Sequence, residues 1–355
     1  MTSTERIDIT LDRPNDLIAS IPALLGFHPV DSLVILGQRG LRAKELLLVL
    51  RSDLPPPHHA RELVNSLLLP LVQHGAAGVT MVVVGGQGRS PDDDLPHREL
   101  MARCEAALAE DGIAVVHQFW TPDTRAGVRW HCYDEADCTG VLPEPDGTEL
   151  AAVAAELGLS VYRSREDVVA LLEPAPPDIL VRRTASLSGR NETAELTGDP
   201  PDEGLATVRA AIEAAATAPP DLTDDDVVRL VTALSDHRVR DHFLDYDTLP
   251  DVVAAERLWT ALTRATPPPE RAEPASLLAY SAYARGDGVL AGIALANAEE
   301  ADDGHRLCAL LRGALTVAMP PAKVREAGKR AANAARRHVA ENLLAYDEED
   351  PIMAE

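Results

Sequence analysis

One short stretch, Phe27-His28-Pro29-Val30-Asp31-Ser32, concentrates side chains capable of acid–base and nucleophilic chemistry. A nucleophilic reading makes Ser32 the attacking group and His28 its base. Such dyads are set by spatial geometry, and closeness in sequence is weak support for one. Ser32 also lacks the Gly-x-Ser-x-Gly turn that would expose its oxygen. The structural alternative has Pro29 stiffening the loop, Asp31 or Ser32 bonding backbone groups to close it, and Phe27 anchoring it in the core. Phe27, His28, Asp31 and Ser32 are therefore expected to form a ligand-contacting or structural loop, and no residue is assigned a catalytic role.

Gly85, Gly86 and Gly88 follow a largely apolar run, Val79 to Val84, and precede a helical pattern. In α/β proteins this is where backbone N–H groups and a helix N-terminus take phosphates. Here Arg89 to Pro96 intervenes, with Asp92, Asp93 and Asp94 in the way, and no Lys-Ser/Thr follows the glycines as a P-loop requires. His131, Cys132 and Cys138, with His117, are candidate zinc ligands, but the Cys132 to Cys138 spacing is too wide for a knuckle. No metal or cofactor is assigned. His237, Arg238, Arg240 and His242 form a dense polar patch with Asp241 and Asp245, and are read as a candidate contact surface.

The elements that must position these residues follow from composition and periodicity. A chain of 355 residues is long enough for about two domains. Aromatics are 3% of it, so its cores must be built from Ala, Val, Leu and Ile. The net charge of −24 disfavours nucleic acid and anionic lipid as partners and favours a protein. No apolar h-region opens the sequence, and no apolar run approaches the ~18 residues of a membrane span. A cytoplasmic location is expected, with its four cysteines as free thiols.

Ile7, Ile9 and Leu11 alternate with polar residues and predict a strand. Pro14 opens a helix bearing Leu17, Ile18, Ile21, Leu24 and Leu25. A strand is expected over Ser32 to Leu36, a turn at Gln38 to Gly40, and a second apolar run over Glu45 to Leu50. A helix from His58 to His74 must end or kink at Pro70. Strands are predicted at Val79–Val84 and Ile113–Phe119, with Val128–Tyr133 pairing to the latter. A helix around Leu100 to Leu108 and two more, Thr148–Leu157 and Arg165–Leu172, complete an α/β domain with a mixed or mostly parallel sheet.

The prolines at 174, 176, 177, 200 and 201 mark an interdomain linker. The division is an α/β domain over 1–175, a linker over 176–201, a helical domain over 202–346 and an acidic, disordered tail over 347–355. Helical windows run Glu203–Ala218, Thr223–Asp236, Asp251–Ala265, Ala275–Arg285, Gly288–Ala301, His305–Val317 and Ala322–Tyr346. Leu278, Ala279, Ala282, Gly286, Ala291, Leu295, Ala298 and Asp303 follow the spacing of one tetratricopeptide unit, so the domain is a tetratricopeptide-like stack or a bundle. Lys323, Arg325, Lys329, Arg330, Arg336 and Arg337 flank a face of small residues on the last helix. Packing on its own acidic protein is the favoured reading of that helix over docking to an external partner.

The segment Leu24-Leu25-Gly26-Phe27-His28-Pro29-Val30-Asp31-Ser32-Leu33-Val34 resembles the opening signature of a family known as domain of unknown function 4192. The Pro14 to Pro22 helix, the block Trp130 to Gly147 and the stretch Ser276 to Pro321 are also similar to that family. Members often carry adjacent cysteines in the middle block, whereas Cys132 and Cys138 are separated here. The resemblance implies an actinobacterial source and a cytoplasmic location, and it implies no activity. The expected function is a non-catalytic interaction or regulatory protein. The alternative is a small-molecule sensor or enzyme with its site on the α/β domain. A homodimer is a further expected option, although the sequence carries no interface signature for one.

Overall fold

The computed structural model describes residues 13–39, 46–86, 94–156, 160–197, 201–245, 247 and 251–348. The strand read over Ile7 to Leu11, the turn residue Gly40, Gly88 and residues 349–355 of the acidic tail lie outside the described residues. The chain divides into two compact units, residues 1–167 and 168–355.

The first unit begins with two short helices, α1 (Pro14–Ala19) and α2 (Ile21–Leu25). The sequence predicts a single helix there. Pro22 has no N–H to give to the preceding turn, so the helix breaks at Ser20, whose hydroxyl donates to Asp16 O at 2.7 Å. Gly26 ends α2 in the left-handed conformation, its N–H donating to Pro22 O at 2.8 Å. Strand β1 (Ser32–Gln38) follows, then β2 (Leu46–Asp53), α3 (Ala60–Gln73), β3 (Gly78–Val84), α4 (Arg98–Glu110), β4 (Ala114–Thr121), β5 (Arg129–Cys132), β6 (Thr139–Val141) and α5 (Glu149–Glu156). Helix α3 runs through Pro70 and stops one turn later. The loss there is one hydrogen bond, and Pro70 is buried on the packed face.

The strands form one mixed sheet in the order β2-β1-β3-β4-β5-β6. Only β3 and β4 pair in parallel, through the α4 crossover; the other four pairings are antiparallel. Side chains alternate between faces along each strand. Leu33, Ile35, Val79, Met81 and Val83 share a core with Leu63, Val64, Leu67 and Leu71 of α3 and Leu100, Met101, Cys104 and Leu108 of α4. Val34, Leu36, Val82 and Val84, on the other face, are buried as well. Each such aliphatic side chain contributes ~1.5–3 kcal/mol by leaving water, enough for a core almost without aromatics.

Helix α6 (Arg165–Ala170) carries the boundary between the units. The second unit contains α7 (Pro177–Thr197), α8 (Pro201–Thr217), α9 (Asp224–Ser235), α10 (His237–His242), α11 (Val252–Ala265), α12 (Ala272–Arg285), α13 (Gly288–Ala301), α14 (Arg306–Thr316) and α15 (Pro321–Glu348). Most of the stretch read as a linker is helix α7. Pro177 and Pro201 each stand first in their helix, where a missing N–H costs nothing, so they open helices instead of marking a flexible connection. Arg183 pins α7 into its unit: its Nε donates to Asp224 Oδ1 at 2.8 Å and its Nη1 to Ala265 O at 2.7 Å.

Several predicted helix starts coincide with observed caps. Thr223 and Asp226 form a reciprocal capping box on α9, and Asp251, Asp287 and His305 accept from the first turns of α11, α13 and α14. Helices α12 and α13 pack along each other across the left-handed turn at Gly286, with Ala279, Ala282, Ala291, Ala294 and Ala298 all buried.

Candidate functional site

The register places three chain segments at one end of the sheet. Ser32, at the start of β1, faces Val84, at the end of β3, and Val84 faces Thr121, at the end of β4. The loops before β1, after β3 and after β4 must therefore meet.

Asp31 joins the first two. It adopts a left-handed backbone (φ 43°), and its Oδ1 accepts from Gly86 N at 3.3 Å. Gly85 has φ 119° and lies so close that a Cβ there would stand 2.9 Å from Asp31 N. Only glycine meets both demands. The Gly85 N–H donates to Thr121 O at 3.0 Å, and its carbonyl accepts from Trp120 Nε1 at 2.8 Å. The amides a phosphate would need at Gly85 and Gly86 are thus already engaged, and α4 starts only at Arg98. Gly85 and Gly86 close a clasp with Asp31.

Ser32 does not join His28. The serine is fully buried; its hydroxyl donates to Val30 O at 2.7 Å and accepts from Arg51 Nε at 2.8 Å. Phe27 is buried, and its backbone forms a bridge to Tyr162. The His28 N–H donates to Tyr162 O at 3.1 Å, and Tyr162 N–H donates to Gly26 O at 2.8 Å. On the side chain, Nδ1 of His28 lies 2.8 Å from the buried Thr124 Oγ1. That contact fixes the ring and leaves Nε2 without a partner among the described residues.

His28 lines a cleft of about 570 Å³ with Arg125, Glu144, Pro145, Asp146 and Arg163. Arg125 pairs with Asp123 at 3.4 Å. Arg163 is exposed and forms no ion pair among the described residues. Burial lowers the His28 pKa below its ordinary 6.5; the Asp123 carboxylate opposes that shift, Arg125 adds to it and Asp146 opposes it. The imidazole is neutral at pH 7 and can donate or accept a hydrogen bond, beside two guanidinium groups and two carboxylates. Thr124, Arg125, Glu144, Asp146 and Arg163 escaped the sequence reading. They come from three connections, after β4, after β6 and before α6, and only the Tyr162 bridge brings the last of these in.

The patch on α10 is largely spent inside its own unit. Arg238 makes two bonds to Asp236 from Nε, both at 3.0 Å, and one from Nη2 at 2.7 Å. Arg240 bonds to Asp241 at 2.8 Å and Glu273 at 3.2 Å. His242 Nε2 lies 3.0 Å from Arg209. Burial, then Arg336 and Arg209, lower the His242 pKa. His237 alone of the four is broadly exposed.

A second cluster that the sequence did not reveal lies behind Arg240. Ser276 Oγ is 3.0 Å from His305 Nδ1, and His305 Nε2 is 3.2 Å from Glu273 Oε2. The order Ser-His-Glu has the outline of a hydrolytic triad, yet Ser276 is fully buried. His305 Nδ1 also accepts from Cys308 N at 3.3 Å as the cap of α14. This cluster serves packing. Among the described residues no three His, Cys, Asp or Glu side chains converge to hold a metal ion, and no helix is long and apolar enough to cross a membrane.

Fold and site together define a mixed α/β unit with a charged cleft beside the strand ends, accompanied by a helical unit. The chain belongs to the family described as domain of unknown function 4192 (DUF4192), whose family model matches residues 14–322. No curated protein matches the chain, and no solved structure does.

Proposed function

We propose that this chain is a non-catalytic regulatory protein whose α/β unit binds a small polar anion in the His28 cleft. The observation that carries the reading is the convergence of Arg125, Arg163 and the anchored His28 ring on one cleft that also holds Glu144 and Asp146. Guanidinium groups recognise carboxylate or phosphate oxygens, and the two acidic residues suit an ammonium or hydroxyl on the same molecule. The engagement of Ser32 elsewhere favours binding over acyl transfer.

Thermal unfolding against amino acids, organic acids and nucleotides tests the proposal. A ligand at ~100 times its Kd stabilises the fold by ~2.7 kcal/mol. The shift should vanish in Arg163→Ala. A shift that survives unchanged in both Arg125→Ala and Arg163→Ala would sink the proposal.

A second reading, interaction through the helical unit, is favoured by a groove of about 690 Å³ between α8 and α9, walled by Ala210, Ala211, Ala214 and Leu230. The helix pair α12–α13, with its small residues at the contact, would serve this reading as a tetratricopeptide-like element. A cytoplasmic protein partner would then be lost on Ala214→Glu, and retention of that partner by the variant would count against the groove.

A further inference from the structure

The β5–β6 hairpin carries two cysteines that the cleft does not use. Cys132 ends β5, and Cys138 immediately precedes β6. The register pairs Arg129 with Val141, Trp130 with Gly140 and His131 with Thr139. One step further it brings Cys132 opposite Cys138, and the Cys132 N–H donates to Cys138 O at 2.9 Å. The reciprocal bond is not made, because the Cys138 N–H donates to Glu135 O at 3.1 Å; a complete hydrogen-bonded pair of an antiparallel ladder holds its facing Cα atoms ~5.5 Å apart. A disulfide accepts Cα separations of about 4.4–6.8 Å. Facing residues also project their side chains from the same face of the hairpin.

Both thiols are free; Cys132 is buried and Cys138 is half-buried behind the exposed residues Asp134, Glu135 and Asp137. Burial raises the Cys138 pKa, and the adjacent Cys132 thiol, Glu135 and Asp134 raise it further. The Cys138 thiol is therefore mostly protonated at rest and oxidises only under a strong peroxide load. Cys104 and Cys308 are buried in α4 and α14, where burial pushes each thiol up to about 11.

We propose that Cys132 and Cys138 form a redox-modification site that takes a peroxide as its oxidant. The Cys138 sulfur attacks one peroxide oxygen, the O–O bond breaks, and Cys138 becomes a sulfenic acid as one water leaves. The Cys132 sulfur then attacks Cys138, the S–O bond breaks, and a second water leaves as the S–S bond forms. Two thiols are oxidised and one hydrogen peroxide is reduced. Between the cysteines, Tyr133 O accepts from Arg98 Nη1 at 2.9 Å and the Tyr133 hydroxyl donates to Pro96 O. Pro96 lies against Gly86 of the clasp, so the hairpin is tied through Tyr133 to the clasp.

The experiment is thiol counting on the full chain treated with hydrogen peroxide, followed by digestion at acidic residues and mass mapping. Free thiols should fall from four to two in the monomer, a peptide joining Cys132 to Cys138 should appear, and dithiothreitol should reverse both. Cys138→Ser and Cys138→Ala, each checked for native circular dichroism, should form no intramolecular cross-link. Four outcomes overturn the proposal. These are a cross-link involving Cys104 or Cys308, a disulfide dimer through Cys138, sulfinic acid at Cys138 with Cys132 still free, and survival of all four thiols while the denatured chain oxidises.

Discussion

The His28 cleft and the His305 cluster use the same residue types to opposite ends. In the helical unit, Ser276, His305, Glu273 and Arg240 are turned inward, and the serine hydroxyl is closed to solvent. In the α/β unit, Thr124 anchors the His28 ring by one nitrogen, and the other nitrogen stands beside charged side chains at a cleft. A histidine with an oxygen partner is thus no sign of chemistry by itself. What separates scaffold from site is whether polar groups are spent within the fold or left for something else.

The sharpest way to break this contrast is to remove Glu273. Its loss leaves the mostly buried Arg240 with Asp241 as its remaining carboxylate, and Glu273→Ala should cost ~2–3 kcal/mol in chemical denaturation. A cost below ~1 kcal/mol would mean that the cluster is not the packing element described. Next comes the clasp. Gly85→Ala forces a side chain into a left-handed position against Asp31, and the expected penalty is ~1–3 kcal/mol, read from the unfolding midpoint. An unchanged midpoint would show that the two loops are not held together there.

Thr124→Val should cost only ~1 kcal/mol, because one hydrogen bond is lost, but should also abolish the ligand response. The smallest stability effect belongs to Arg163→Ala, within ~0.5 kcal/mol for an exposed side chain, again with loss of the ligand response. Those last two variants separate the readings: a residue of the site changes binding far more than stability.

Acid titration sharpens the comparison further. The folded-state pKa of His28 lies below the ordinary 6.5, and His131 and His242 shift the same way. As pH falls, the unfolded chain takes up these protons first. The stability contribution is therefore complete above pH ~6.5 and is lost as pH drops toward the folded values. Denaturation midpoints from pH ~7.5 down to ~5, in half-unit steps on either side of the ordinary histidine value, should decline, and His28→Asn should flatten the decline. A slope unaltered by the substitution would contradict the lowered pKa of His28.

Local order was largely legible in the sequence. The alternation and apolar runs around β1, β3 and β4, and the capping residues Thr223, Asp251 and His305, announced their elements because these are interactions among near neighbours. Helix α7 was missed because a cluster of prolines reads equally as a linker or as a helix start. Of the cleft, His28 stood out through its loop, while Arg125 and Arg163 did not. Their importance comes from strand order and from the Phe27–Tyr162 bridge, which pairs residues from the two ends of the unit. No local pattern encodes such a meeting.

That bridge also has a consequence for how the unit assembles. Adjacent strands of the sheet are mostly neighbours in sequence, so the sheet can grow by short loop closures. The Phe27–Tyr162 bridge instead closes nearly the whole unit into one loop, the step with the greatest entropic cost. The cleft is then the last part of the α/β unit to form and the first to open. Amide exchange should be faster at His28 and Tyr162 than at Val34 or Val82, and a bound anion spanning Arg125 and Arg163 should slow it at the bridge before anywhere else.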